Sequence, residues 1–184
     1  EKVSEAAIQS SKEAVSLCVV MAGVTALWVG MMRIAEKSGL LEAMEQRMQP
    51  VLNFLFPEIP GNHPSRKSIA TNLLANVLGL GWAATPAGLK AMEELADLEE
   101  ERRRKKQRAV PIGAASNEMC DFLILNISSL QLIPVSIIAF RTEYGSVAPT
   151  AIVGPAILAT AVSTGIAIFY IKIRKYIYRK LFDR

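Results

Sequence analysis

One histidine and two cysteines occur among the 184 residues. The sequence holds no GxSxG turn, no Walker loop, no HExxH pair and no histidine-bearing triad. Nucleophilic hydrolysis, P-loop phosphate chemistry and zinc-peptidase chemistry therefore lack their signatures. Gly79-Leu80-Gly81 is not followed by GxxG and opens no Rossmann unit, which removes a dinucleotide reading. His63 stands alone in the turn Pro60-Gly61-Asn62-His63-Pro64, without a second ligand at metal-binding spacing. Cys18 and Cys120 form no CxxC and lie in or beside apolar stretches, so they read as ordinary thiols rather than a disulfide or metal pair. The expectation is a non-enzymatic chain with no cofactor and no metal. No basic leader with a cleavage site follows Glu1, which predicts no signal peptide.

Charge is missing too, in places. Ala14 to Met32 and Ala151 to Ile171 carry no charged residue. About 20 apolar residues cross a bilayer core of ~30 Å, so both read as membrane spans. Ile69 to Leu89 and Met119 to Phe140 are similarly long but irregular. The expected fold class is all-α: a polytopic membrane protein with about four membrane segments, two of them interrupted, forming a single domain over 1–184.

What charge there is falls in blocks. Arg102, Arg103, Arg104, Lys105, Lys106 and Arg108 follow the second segment, and Lys172, Arg174, Lys175, Arg179, Lys180 and Arg184 follow the fourth. Only Arg141 lies between the third and fourth. The positive-inside rule puts the two basic blocks, and hence the C-terminus, in the cytoplasm. Four spans then place residue 1 in the cytoplasm and the 33–67 loop outside, although that loop holds Arg33, Lys37, Arg47, Arg66 and Lys67. Acids from Glu93 to Glu101 precede the basic run at helical spacing, which reads as a solvated charged helix or loop over 92–108 beside the membrane, not a nucleic-acid site. Within 35–56, apolar residues recur at three- and four-residue steps among polar ones. This predicts an amphipathic helix in the interface plane, kinked or divided at Pro50. In the fourth segment Ala156, Ala159, Ala161, Ser163, Gly165 and Ala167 offer a small-residue surface suited to close helix packing.

The interrupted segments carry the candidate site. Helical bonding is expected to break between Gly79 and Pro86 and again between Ser128 and Pro134. A broken helix in a bilayer leaves backbone N–H and C=O groups that protein or ligand must satisfy, and such breaks mark transporter sites. Asn76 lies ten residues before Pro86, and Asn126 eight before Pro134, a coarse whole–broken, broken–whole symmetry like that of an inverted pair. Asn72, Asn76, Gly79, Gly81, Thr85, Asn126, Ser128, Ser129 and Gln131 are the candidate substrate-binding residues. They supply neutral donors, acceptors and exposed backbone, which suits a nucleobase, a ribose or another small polar solute. The competing role for each is hydrogen-bonded packing between helices. Glu118 and Asp121 read as acids at a helix N-terminus, capped by Ser116 or Asn117.

Several stretches carry a resemblance. They are 75–92 (Ala75-Asn76 through Gly79, Gly81, Trp82, Thr85-Pro86 and Gly88 to Met92), 125–134 (Leu125-Asn126 through Ser128-Ser129 and Gln131 to Pro134), 149–160 and 34–40. In these the chain resembles the spore maturation protein A family of nucleoside-recognition, or gate-domain, proteins. The resemblance implies an integral protein of the bacterial inner membrane, a membrane partner like spore maturation protein B, and a role in spore core dehydration. Trp82 departs from the family pattern, which usually has Asn there. Family members also usually begin with a further apolar segment, which would move the native N-terminus across the membrane. The expected function is a gate-domain subunit forming half of a transporter-like complex for a small, nucleoside-like solute. A non-transporting scaffold for a partner complex is the alternative.

Overall fold

The computed structural model describes residues 2–79, 81–128 and 131–182. Among them every regular element is helical: α1 (Lys2–Lys37), α2 (Leu40–Leu55), α3 (Ser65–Val77), α4 (Gly81–Arg104), α5 (Asn117–Ile127), α6 (Val135–Glu143), a 3-10 turn (Pro149–Ile152) and α7 (Val153–Phe182). The 30 residues Lys2–Met31 and the 29 residues Pro149–Ile177 are long and apolar enough to cross a membrane. In α1 none of the most apolar stretch is buried, and in α7 only 6% of it is. Val15, Val19 and Leu27, and Leu158, Val162 and Ile166, are all exposed. A soluble core helix would bury such a surface, and exposed apolar faces of this extent mark interaction surfaces.

The packed core sits at one end of the molecule. Leu52, Leu55 and Phe56 from α2 and its exit, Ile69 and Ala70 from α3, Ala91, Leu95 and Leu98 from α4, Met119, Phe122 and Leu125 from α5 and Ile171 from α7 form one buried cluster. Each fully buried large side chain contributes about 1.5–3 kcal/mol by leaving water. Arg66, itself buried, ties the 57–64 turn to α2 by donating to the Ile59 carbonyl at 3.0 Å and to Asn53 and Gln49. His63 takes a structural part in that turn through a 2.8 Å contact between Nδ1 and Ser65 Oγ.

The interrupted regions are built differently from one another. α3 and α4 form a hairpin. Asn72 reaches Ala84 near the turn at Leu78–Gly79, while Arg102 at the far end of α4 donates to the Glu58 carbonyl just before α3. The 69–89 stretch therefore folds back on itself instead of running on as one broken span. Helical structure resumes at Gly81 and continues through Pro86, which lies inside α4. α5 and α6, by contrast, continue in one direction along α7. Contacts pair Arg174 with Asp121, Thr164 with Ser128, Thr160 with Gln131, and Pro149 with Arg141. α1 lies against α6, where Val20, Val24 and Leu27 share a groove of about 320 Å³ with Ile133, Val135 and Ile138. The Ser16 hydroxyl donates to Glu143 at 2.8 Å. With Ser16 at the end of α6 and Leu27 in the groove with residues at its start, α1 runs antiparallel to α6 and hence parallel to α7.

Three further expectations need correction. α2 passes through Pro50 undivided, its missing N–H being tolerated while Leu52 and Leu55 anchor the last turn in the core. The exit of α2 lies beside α4 and α7: Lys172 and Lys175 donate to the Phe54 and Leu55 carbonyls, and Lys172 sits 3.6 Å over the Phe54 ring. The 57–64 turn thus shares an end with the two basic blocks rather than lying opposite them. The helix carrying 92–104 is not simply solvated, since Leu95, Leu98 and Glu99 are buried on its inner face.

Candidate functional site: an amide junction at two helix breaks

Three asparagines meet where α3, α4 and α5 converge. Asn76, one turn above Asn72 on α3, donates through Nδ2 to Asn72 Oδ1 at 3.3 Å and to Asn126 Oδ1 on α5 at 2.6 Å. One amide NH2 carries two protons, so both bonds form together. Asn72 Nδ2 donates in turn to the Ala84 carbonyl of α4 at 2.8 Å. Asn72 and Asn76 are buried, and Asn126 is half-buried. The close approach of Asn72 explains Gly88: a Cβ there would stand 2.9 Å from Asn72 Nδ2. A helical glycine costs about 1 kcal/mol relative to alanine, and here an alanine methyl would crowd the Asn72 amide.

The two breaks touch immediately beyond the amides. Gly79 closes α3 with φ +76°, and a Cβ on it would lie 1.9 Å from the Ile133 carbonyl oxygen. The Leu132 N–H donates to the Val77 carbonyl at 2.8 Å, joining the end of α3 to the α5–α6 connection. Two hydroxyls of α7 serve the same connection. Thr164 Oγ1 donates to the Ser128 carbonyl at 2.5 Å, and Thr160 Oγ1 accepts from the Gln131 N–H at 3.2 Å. The backbone groups of Val77, Ser128, Gln131 and Leu132 beside the breaks are thus bonded within the protein.

Of the nine sequence-derived site residues, Asn72, Asn76 and Asn126 are brought together, and Gly79, Ser128 and Gln131 lie in the connections beside them through their backbones. Gly81 begins α4. Thr85 is exposed on α4 and Ser129 lies outside the described residues. Gly88, Thr160 and Thr164 were missed as site residues. The four-residue spacing of Thr160 and Thr164 on one face of a helix was the available signal.

A layer of buried charge closes the opposite end of α5. Asp121, fully buried, pairs with Arg174 and, at 2.9 Å, with Lys175. Glu118 pairs with Arg102 at 2.7 Å, and Arg102 also pairs with Glu99. Glu99 accepts from the Val110 N–H at 3.0 Å, holding the 105–116 loop. Glu118 and Asp121 are therefore ion-pair partners, not only N-terminal acids. Ser116 supplies the cap, accepting from Met119 N–H at 3.2 Å. Burial works to raise the Glu118 carboxyl, but hydrogen bonds from Arg102, the backbone and Ser116, together with the Arg102 charge, outweigh it and hold the group below its usual range.

An all-helical fold with two helices long and apolar enough to cross a membrane, and a neutral amide junction among the others, defines the class of protein: a helical protein with candidate membrane helices and uncharged hydrogen-bonding chemistry kept inside. No protein-family model matches the sequence, and no solved structure matches it. The chain is 42% identical over 180 residues to Spore maturation protein A of Bacillus subtilis (strain 168), covering 98% of this chain and 86% of that protein. It belongs to the spore maturation protein A family.

Proposed function

We propose that the chain is a gate-type membrane subunit that acts in spore maturation, forming half of a transporter-like complex for a small polar, nucleoside-like solute. The relative's name supports the process. The observation that carries the gate is the 2.6 Å bond from Asn76 to Asn126, an uncharged link between helices that each end at a break. A solute with amide-like or hydroxyl groups could exchange for that link without exposing a charge to lipid. On this reading α1 and α7 cross the bacterial inner membrane, α5 and α6 make one interrupted crossing, and α3 and α4 form a hairpin entering from the cytoplasmic side. The ion-paired end of α5, the 102–108 block, the C-terminus and the 33–67 loop then all face the cytoplasm. The parallel course of α1 and α7 puts the start of α1 outside. The five Lys/Arg residues between 33 and 67 thereby come under the positive-inside rule instead of violating it.

The exposed apolar faces of α1 and α7 favour a second membrane subunit, of the spore maturation protein B kind, in the complete assembly. They equally favour the alternative role, a scaffold that assembles a partner complex without passing a solute. Asn76→Leu and Asn126→Leu separate the two. A gate loses spore-maturation activity in both variants while complex recovery stays at wild-type levels. A scaffold held together by these amides loses complex recovery in step with activity, by about 0.6 kcal/mol per lost bond on average. Full activity in both variants refutes the gate.

A further inference from the structure

We infer that Thr160 and Thr164 are positioning residues of the amide junction, through which the seating of α7 on the α5–α6 connection sets whether Asn76 and Asn126 stay bonded. The inference rests on the gate reading for its functional half but on hydrogen-bond geometry for its structural half. α7 is held near both ends. At its start Arg141 donates to the Pro149 carbonyl at 3.2 Å and to the Ala148 carbonyl at 3.1 Å. Ala167 and Ile171 are buried, and Lys172, Arg174 and Lys175 bond to α2 and α5. Between these contacts Leu158, Val162 and Ile166 are exposed. Among the described residues, the pair of hydroxyls bonds this stretch to the α5–α6 connection.

Their placement is continuous with the amides. Thr164 holds the Ser128 carbonyl, two residues beyond Asn126. Thr160 holds the Gln131 N–H, and the next residue, Leu132, donates to Val77, which follows Asn76. The Thr160 hydroxyl proton goes to the Ala156 carbonyl of its own helix at 2.8 Å, so its oxygen remains an acceptor aimed at Gln131. Bowing the middle of α7 away from the connection withdraws both hydroxyls together. The connection then loses its two bonds to α7, and the Ile133 carbonyl is free to leave the surface of Gly79, which it approaches too closely for any side chain to intervene. A membrane partner bound to the exposed face of α7 would act on the junction by this route.

The test is hydrogen exchange on the purified protein in lipid nanodiscs, comparing wild type with Thr160→Val, Thr164→Val and the hydroxyl-retaining Thr160→Ser and Thr164→Ser. Valine matches threonine in shape and shares its β-branching, so α7 itself is preserved. The Gln131 and Leu132 amides should exchange roughly two- to tenfold faster in the valine variants, as expected for the loss of a modest hydrogen bond. Exchange should return to wild-type rates in the serine variants and stay unchanged near Leu95 and Phe122. Unchanged exchange at Gln131 and Leu132 in both valine variants overturns the inference. Faster exchange accompanied by normal spore-maturation activity, in a background where Asn76→Leu abolishes that activity, also overturns it, because the threonines would then hold the connection without governing the site. Normal activity for Asn76→Leu itself refutes the gate reading instead, and the exchange result then judges the hydroxyl pair on its own.

Discussion

Replacing Gly79 with alanine tests the contact between the two breaks. Gly113 provides the control, because both glycines have positive φ, +76° and +84°, and differ in their surroundings. A Cβ on Gly113 meets nothing within 4 Å, whereas one on Gly79 falls 1.9 Å from the Ile133 oxygen and 3.1 Å from its carbonyl carbon. Left-handed backbone costs alanine about 1–2 kcal/mol, offset by ~0.4–1 kcal/mol from the stiffer unfolded chain. Gly113→Ala should thus cost at most about 1.5 kcal/mol. Gly79→Ala carries the same strain and must also push the Ile133 carbonyl away. Overpacking of this kind costs about 1–3 kcal/mol. Displacement also threatens the Leu132–Val77 hydrogen bond, worth ~1 kcal/mol. Gly79→Ala should therefore be destabilised by about 2–4 kcal/mol more than Gly113→Ala. The assay is thermal unfolding of both variants in the same mild detergent, followed by far-UV circular dichroism. Equal unfolding temperatures for the two variants would refute the close approach of the breaks.

The buried charges give further expectations. Arg102→Ala strands Glu118 and Glu99 in the interior and should cost about 2–4 kcal/mol, somewhat below a fully buried pair because Arg102 is partly solvated. Arg104→Ala, whose pair with Glu100 is exposed, should leave the unfolding midpoint unchanged. The Glu118 carboxyl lies below its ordinary value of 4.5 in the folded state. Its pairing therefore stabilises fully above that value and is lost as pH falls through the lower folded one. Unfolding temperature measured down an acid series should drop in wild type more than in Glu118→Gln. For topology, a cysteine introduced at Ser4 after Cys18 and Cys120 are replaced should react with an impermeant thiol reagent from outside intact cells, and one at Gln107 only after lysis. Labelling of both from the same side would refute the parallel course of α1 and α7.

Much of the junction was legible before the fold was known. Uncharged runs identified α1 and α7, and Asn76 and Asn126 stood out because amides beside a glycine- or proline-marked break are rare in apolar segments. Glycine and proline were less informative about direction. Gly79 and Gly81 turn the chain back into a hairpin, while the Ser128–Pro134 break lets it run on, and only packing against α7 distinguishes the two. Pro86 looked like a terminator yet sits inside α4, because a proline removes one hydrogen bond without forbidding the helix that surrounding contacts support. The acids at 118 and 121 fitted a helix N-terminus locally, and nothing nearby in sequence pointed to partners at 102, 174 and 175. The 33–67 loop was assigned by counting spans, and counting alone could not show that the 69–89 stretch folds back as a hairpin.

The most direct measurement is a density map of the purified complex in a lipid bilayer, at a resolution that resolves side chains around the two breaks. The junction of Asn76 with Asn126 should lie near mid-depth of the bilayer, facing the protein interior, with the Leu78–Gly79 turn and Ile133 in contact and α3 and α4 entering from the same side as the C-terminus. Either amide facing lipid, or a junction lying in water outside the bilayer, would contradict the gate.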